Sequence, residues 1–179
     1  TRPDIVGEEL ADDLAKLQDK LPAFQTSEAK RIIKKELGEK YYHDIIELSE
    51  PIAAASIAQV HRGTLISGRK VIFKVQRPGL QTFFKLDLEV MQQVAKLLQK
   101  NKSFSKGRDW IEMAKECKRV LLMELDFRIE AEYAARFRQQ FLEDPYIKVP
   151  GVIWELSTSK ILCLDYLPGI KINDQEAIR

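Results

Sequence analysis

Cysteine and histidine are nearly missing from this chain of 179 residues, which holds two of each. Cys117 and Cys163 stand far apart and no CxxC occurs, so neither a disulfide scaffold nor a zinc ribbon is indicated. His43 and His61 have too few partners to complete a metal site. No apolar run approaches the ~20 residues of a membrane-spanning helix. An excess of one charge is lacking too. The 29 basic side chains face 27 acidic ones, and a net charge of +2 supplies no strong field for holding nucleic acid. There is no internal repeat and no low-complexity tract. What is present is 45% hydrophobic residues interrupted by 31% charged ones. That is enough core for one ordinary domain, and it is not the composition of a disordered chain. So few cysteines suit a reducing compartment.

The chain opens on Thr1-Arg2-Pro3-Asp4, without an initiator Met or a signal-like segment, and it stops where Asn173 to Glu176 reads as a helix start. It reads as a piece of something longer. Pro3 suits the first position of a helix, and Val6, Leu10, Leu14, Leu17 and Leu21 follow at helical spacing until Pro22. Core packing is the simple reading of that stripe; a partner or membrane face is the functional one. A second helix is expected from Thr26-Ser27 to Gly38, and a short third over Tyr41 to Leu48. From Pro51 the texture turns small and β-branched. Strands are expected within Ile52 to Thr64 and over Lys70 to Arg77, closed by Pro78-Gly79. Leu80 to Leu98 returns to helical spacing, and Asn101 to Arg108 is a polar loop. A long helical stretch capped by Asp109 reaches about Phe141 with one break. Tyr146 to Glu155 and Lys160 to Leu167 read as two more strands. No parallel crossover pattern appears, so the fold class is α+β.

Three features break their local pattern. In Lys70 to Gln76, Val71, Phe73 and Val75 share one face, and Lys74 stands mid-strand on the other between Ile72 and Gln76. An edge strand protected by a charge would explain it; so would an ammonium aimed into a cleft at an anion. Second, Phe127, Glu130, Ala134, Phe137 and Phe141 form one helical stripe, which sets the Glu130 carboxylate in an apolar seam. It needs exposure or a cation, and Ala134, one turn on, offers none. Glu124 and Asp126 lie just before it. Third, the run Pro51 to His61 is rich in small residues. Such residues let a backbone approach a phosphate, but they also simply pack, and with no glycine before Gly63 neither common phosphate-loop motif is met.

The strings PIAAASIAQVHRG, VIFKVQRPG, ELDFRIEAEYAARF and ILCLDYLPGIKI, with LQDKLPAF and KVPGVIWELSTSKIL, resemble the UbiB-like atypical protein kinases associated with isoprenoid quinone (coenzyme Q) biosynthesis. The likeness covers essentially the whole chain. It implies an α+β, protein-kinase-like small lobe, an antiparallel sheet plus a helix, with additional helices special to the family. Residues 1–50 would be an N-terminal helical extension and 51–179 the small lobe up to the hinge, the large lobe being absent. ATP is the implied cofactor. The resemblance makes Ala53, Ala54, Ala55, Ser56, Ile57, Ala58 and Gln59 the nucleotide-covering loop and Lys74 the phosphate-binding lysine. It makes Glu130 the partner of Lys74, and Glu124 with Asp126 the family's E-x-D pair. Asp165 to Leu167 would be the hinge at the adenine edge, after Leu164 at the gatekeeper place. The catalytic residues and the Mg2+ ligands would follow Arg179, so no residue of this chain is expected to be catalytic or to bind metal. Implied partners are a nucleotide and a lipid, quinone-pathway or membrane-surface partner, without nucleic acid. The likeness fits a bacterial cytoplasm or inner-membrane face as well as a mitochondrion or plastid.

The chain departs from the family pattern at Ala58 and at Ile72, where glycine and alanine are usual, and at Asp165, where glutamate is. Ile72 would crowd the adenine ceiling. The resemblance therefore implies the nucleotide-binding lobe of an atypical kinase or ATPase. An interaction module with vestigial nucleotide binding is the competing reading.

Overall fold

A computed structural model of the chain describes Gly7 and residues 22–170, except the side chain of Phe104. The described elements run α1 (Thr26–Tyr42), β1 (Ile45–Ala54), β2 (Ala58–Leu65), β3 (Lys70–Gln76), α2 (Leu80–Lys100), the single turn α3 (Lys102–Ser105), α4 (Trp110–Glu124), α5 (Phe127–Gln140), a 3-10 turn (Trp154–Leu156) and β4 (Ile161–Asp165). The four strands form one antiparallel sheet in the order β1-β2-β3-β4. With its helices this is an α+β arrangement.

The sheet exists because β3 alternates. Val71, Phe73 and Val75 are fully buried and pack with Ala29 and Ile33 of α1, Leu65, Ile153, Leu156, Ile161 and Cys163. Ala29 and Ile33 are one helical turn apart, so α1 presents a single stripe to this face. The helix is interrupted at Gly38, whose φ of 78° only glycine adopts without strain. β1 runs across the boundary expected at residue 50, and α1 shares its core with β3.

Two expected elements are corrected. Tyr41 to Leu48 is not a third helix, because Ile45 already begins β1. Ile45 and Leu48 are three apart, which suggests a helix, yet both pack on the core. A bulge between Ile45 and Glu47 inserts one residue against β2 and shifts the side-chain parity. Tyr146 to Glu155 is not a strand either. It makes one bridge, Val152 opposite Leu164, flanked by Ile153 N–H to Cys163 O (2.9 Å) and Asp165 N–H to Gly151 O (2.9 Å). Pro150 has no N–H to extend that pairing, and the Asp144 carboxylate accepts from the backbone of Tyr146 and Ile147, bending the chain away.

The long helical stretch breaks at Leu125-Asp126, where Asp126 caps α5 by accepting from Arg128 N. The polar loop expected over Asn101 to Arg108 contains the one-turn α3. The helix expected from Pro3 with Val6, Leu10, Leu14, Leu17 and Leu21 lies outside the described residues apart from Gly7. Gly7 has a φ of 83°, so the helix does not run through it. The helix start expected at Asn173 to Glu176 also lies outside them. Among the described residues no helix is long and apolar enough to cross a membrane.

Gly63 lets the sheet close over its core: a Cβ there would stand 2.7 Å from the Phe73 ring. Phe73 is fully buried and has nowhere to retreat. Gly63→Ala should therefore destabilise the protein by about 1–3 kcal/mol, the usual cost of overpacking a dense core. Denaturant titration checks this, and an unchanged midpoint would show that the ring has room to move.

Candidate functional site

The second face of the sheet carries Ala58, Val60 and Arg62 on β2, Gln76, Lys74 and Ile72 opposite them on β3, and Leu162 and Leu164 on β4. α5 covers only one end of it. Phe127 and Ala131 bury Ala58 and Leu162 there. Lys74 stands where that cover stops, and its ammonium donates to Glu130 Oε2 at 2.6 Å. The Phe127 ring lies beneath the same ammonium, its centroid 4.7 Å away.

Two residues that each broke their own pattern thus meet across 56 positions of chain. β3 has β2 and β4 on its two sides, so the edge-strand explanation of Lys74 is excluded. The Lys74 and Glu130 side chains remain 27% and 47% exposed. A pair so open to solvent contributes little to stability, roughly 0–1 kcal/mol. Its effect is to fix where the ammonium points. Beyond it, Ile72 and Leu164 continue the face toward Arg62, whose guanidinium stacks 5.0 Å from the Tyr166 ring.

The small-residue run is narrower as a loop than its sequence implies. Ala53 and Ala54 end β1, Ala58 and Gln59 begin β2, and only Ala55, Ser56 and Ile57 form the turn. Ala55 N–H donates to Ala58 O (2.8 Å). Arg77 binds the turn from outside: its Nε donates to Ala55 O (2.8 Å) and its backbone N–H to Ile57 O (2.9 Å). Ala58 is core, as a small packing residue would be.

Gln59 faces the opposite way and is fully buried. Its Oε1 accepts from Phe24 N–H (3.0 Å), while its Nε2 donates to Phe24 O (3.1 Å) and to His61 Nε2 (2.9 Å). The other ring nitrogen of His61 lies 2.8 Å from Ser49 O. A carbonyl only accepts, so Nδ1 carries the proton and Nε2 is the acceptor for Gln59. This network fastens Phe24 to the sheet and leaves Gln59 no free polar atom to reach over the turn.

Glu124 closes α4 and Asp126 follows at the break. The Arg128 guanidinium, hydrogen-bonded to Asp126, holds that carboxyl below the usual carboxylate range. Asp165 ends β4, and its carboxylate binds Arg69 (2.6 Å to Nη2) and Gly151 N–H (3.2 Å). Its own N–H and that of Tyr166 are used, on Gly151 O and Lys70 O. A cleft of about 730 Å³ adjoins Asp165 and Leu167 at the end of α5, and neither Lys74 nor the alanine turn lines it. The structure joins Lys74 with Glu130 and keeps the hinge candidates apart from them. Residues that sequence reasoning passed over are Val60, Arg62, Phe127 and Gln76. Val60 becomes visible only once Lys74 is paired with it across β2.

Comparison with known proteins meets this geometry. Residues 16–179 match the family described as ABC1 atypical kinase-like domain. The chain belongs to this family. It is 45% identical to Protein ACTIVITY OF BC1 COMPLEX KINASE 7, chloroplastic, of Arabidopsis thaliana, over 99% of this chain and 26% of that protein. It is 36% identical to a protein named Probable protein kinase UbiB of Marinobacter nauticus, over 99% of this chain and 33% of that protein. Among solved structures, Rv3197 of Mycobacterium tuberculosis, determined in complex with erythromycin, superposes with a TM-score of 0.71 at 29% identity. That match covers 94% of this chain and 41% of the other. The chain thus spans about a quarter to a third of the curated relatives' length. The resemblance read from the motifs is therefore correct at the level of family and of fold, a kinase-like small lobe with additional helices.

Burial pushes the His61 imidazole below its ordinary value of about 6.5, against the opposing effect of its bond to Ser49. Protonation would also turn Nε2 from acceptor to donor, facing the Gln59 amide. The unfolded chain therefore binds the proton first, so stability is present above about pH 6.5 and is lost as pH falls through the lower folded value. Melting temperature should decline on acidification below pH 6.5, and His61→Asn should flatten that part of the curve. A wild-type profile flat from pH 7 to 5 would contradict this.

Proposed function

We propose that this chain is the nucleotide-binding small lobe of an atypical kinase or ATPase that acts in isoprenoid quinone metabolism, ATP lying between it and a large lobe. The observation that carries the reading is the Lys74–Glu130 pair. A lysine ammonium held on the open side of a central strand, with one carboxylate to aim it, is the arrangement that stabilises phosphate charge. Ile72, Leu164 and Val60 would provide the apolar ceiling for the base, Asp165 to Leu167 its edge, and the turn Ala55–Ile57 a cover that Arg77 holds still.

These residues fit a nucleotide in kind. They offer one directed cation, an apolar strip beside it, and a tight turn at its end. They do not complete a reaction. Among the described residues no cluster of three or more His, Cys, Asp or Glu side chains is placed to hold a metal ion, and the Mg2+ ligands are assigned to residues outside them. With ATP and Mg2+ bound, the chemistry supplied would be phosphoryl transfer or hydrolysis. Lys74 would bind and orient the phosphates, and Glu130 would position Lys74. The competing reading, an interaction module for lipid or protein, is favoured by the bulk of Ile72 and by the apolar residues exposed on α2 and α4.

Because the pair contributes so little stability, its removal separates binding from folding. In the intact protein Lys74→Met should weaken ATP at least tenfold by calorimetric titration while shifting the melting temperature by no more than a degree or two. Equal ATP affinity in wild type and Lys74→Met would reject the nucleotide-site reading.

A further inference from the structure

α2 has two apolar faces and the described fold uses one. Leu88 and Ala95 are buried on the side that packs against α4. On the other side Phe83, Leu86, Val90, Val94 and Leu97 recur at i, i+3, i+7, i+11 and i+14, each between 47% and 68% exposed. Five large apolar side chains in one stripe, ~21 Å long at 1.5 Å per residue, form a helix-packing surface rather than scattered exposure.

The chain enters the described fold beside the start of that stripe. Pro22 O accepts from Arg77 Nη1 at 3.0 Å, and Arg77 stands three residues before Leu80, where α2 begins. The residues just before Pro22 carry a matching pattern. Gly7, at φ 83°, marks the earliest point from which a helix can run unbroken to Leu21. From Glu8 onward, Leu10, Leu14, Leu17 and Leu21 lie on one face.

We propose that Glu8 to Leu21 docks as a helix antiparallel to α2, along the exposed stripe. Leu21 then faces Phe83, Leu17 faces Leu86, Leu14 faces Val90 and Leu10 faces Val94. Residue numbers in these pairs add to 103 or 104 throughout, the constant offset that antiparallel helices require. Length agrees as well. Fourteen residues span ~21 Å, the length of the stripe. A helix so short is marginal alone in water and needs an apolar partner. Charge agrees along one flank of the seam, where the same offset sets Glu9 beside Lys96 and Lys16 beside Glu89. At the Pro22 end it sets Lys20 beside Lys85, a like-charge contact. The pairing does not depend on nucleotide binding, so its failure and that of the nucleotide site are separate results.

The test uses the full chain with the exposed Cys117 replaced by Ser. Leu14→Cys combined with Val90→Cys should give an intrachain product with a short bis-thiol reagent. Leu14→Cys combined with Phe137→Cys on α5 should not. Charge variants supply a second readout that leaves the apolar seam intact. Lys96→Glu should lower the melting temperature, Glu9→Lys added to it should restore most of the loss, and Lys85→Glu should raise it. The absence of an intrachain 14–90 product overturns the proposal. A product joining two chains would give the stripe to a second copy and also overturns it. So does cosedimentation with phosphatidylglycerol vesicles that Leu86→Glu abolishes, which would give the stripe to a membrane. A restored pair with an unchanged Lys85→Glu variant would contradict the register.

Discussion

A lysine in the middle of an interior strand is a costly place for a charge, and most of what is ordered here makes that place tenable. β3 buries Val71, Phe73 and Val75 completely on one side, which fixes its register and leaves Lys74 no choice of face. On the other side α5 stops short of covering the ammonium, and Glu130 and the Phe127 ring take its two approaches. Had α5 advanced one turn further, the ammonium would need a fully desolvated partner, at a cost of several kcal/mol. Where the helix ends its cover decides between a buried structural ion pair and a directed, half-exposed cation.

The alanine turn shows how such a site can be held without glycine. A glycine loop gains reach from left-handed backbone; this turn instead has its carbonyls tied to Arg77 and its following residues locked into β2. Gln59 adds a buried amide whose partners are the backbone of Phe24 and the ring of His61. Rigidity around the turn therefore comes from side chains behind the sheet, and the ordering entropy of a mobile flap is absent from any closure over a ligand.

Much of this was legible in the sequence, because it was written in short-range pattern. The alternation of β3, the stripe of α5, the break before Asp126 and the glycine at position 38 are local signals, and each element stands where its signal lies. Lys74 and Glu130 could be flagged as misfits for the same reason. The misreadings have local causes too. A bulge moved Ile45 and Leu48 into helical spacing inside a strand, and a proline and an aspartate left Tyr146 to Glu155 with strand composition but no ladder. What no local pattern carries is partnership at distance. The inward turn of Gln59, the use of Asp165 as an anchor for Gly151 and Arg69, and the meeting of Arg62 with Tyr166 depend on strands brought together by the fold.

Gln76, two residues after Lys74, donates from its side chain to Leu125 O at 2.8 Å, inside the core. That one bond closes the loop formed by α2, α3 and α4, because the chain leaves the sheet at β3 and returns beside it at the start of α5. The excursion is hence an arm with a single pinned base, ~30 Å long by the rise of α2. Its base abuts the first turn of the helix that bears Glu130. A load applied at the tip of the arm has no other route into the lobe's sheet than through this joint, and the first thing it meets there is the carboxylate that aims Lys74.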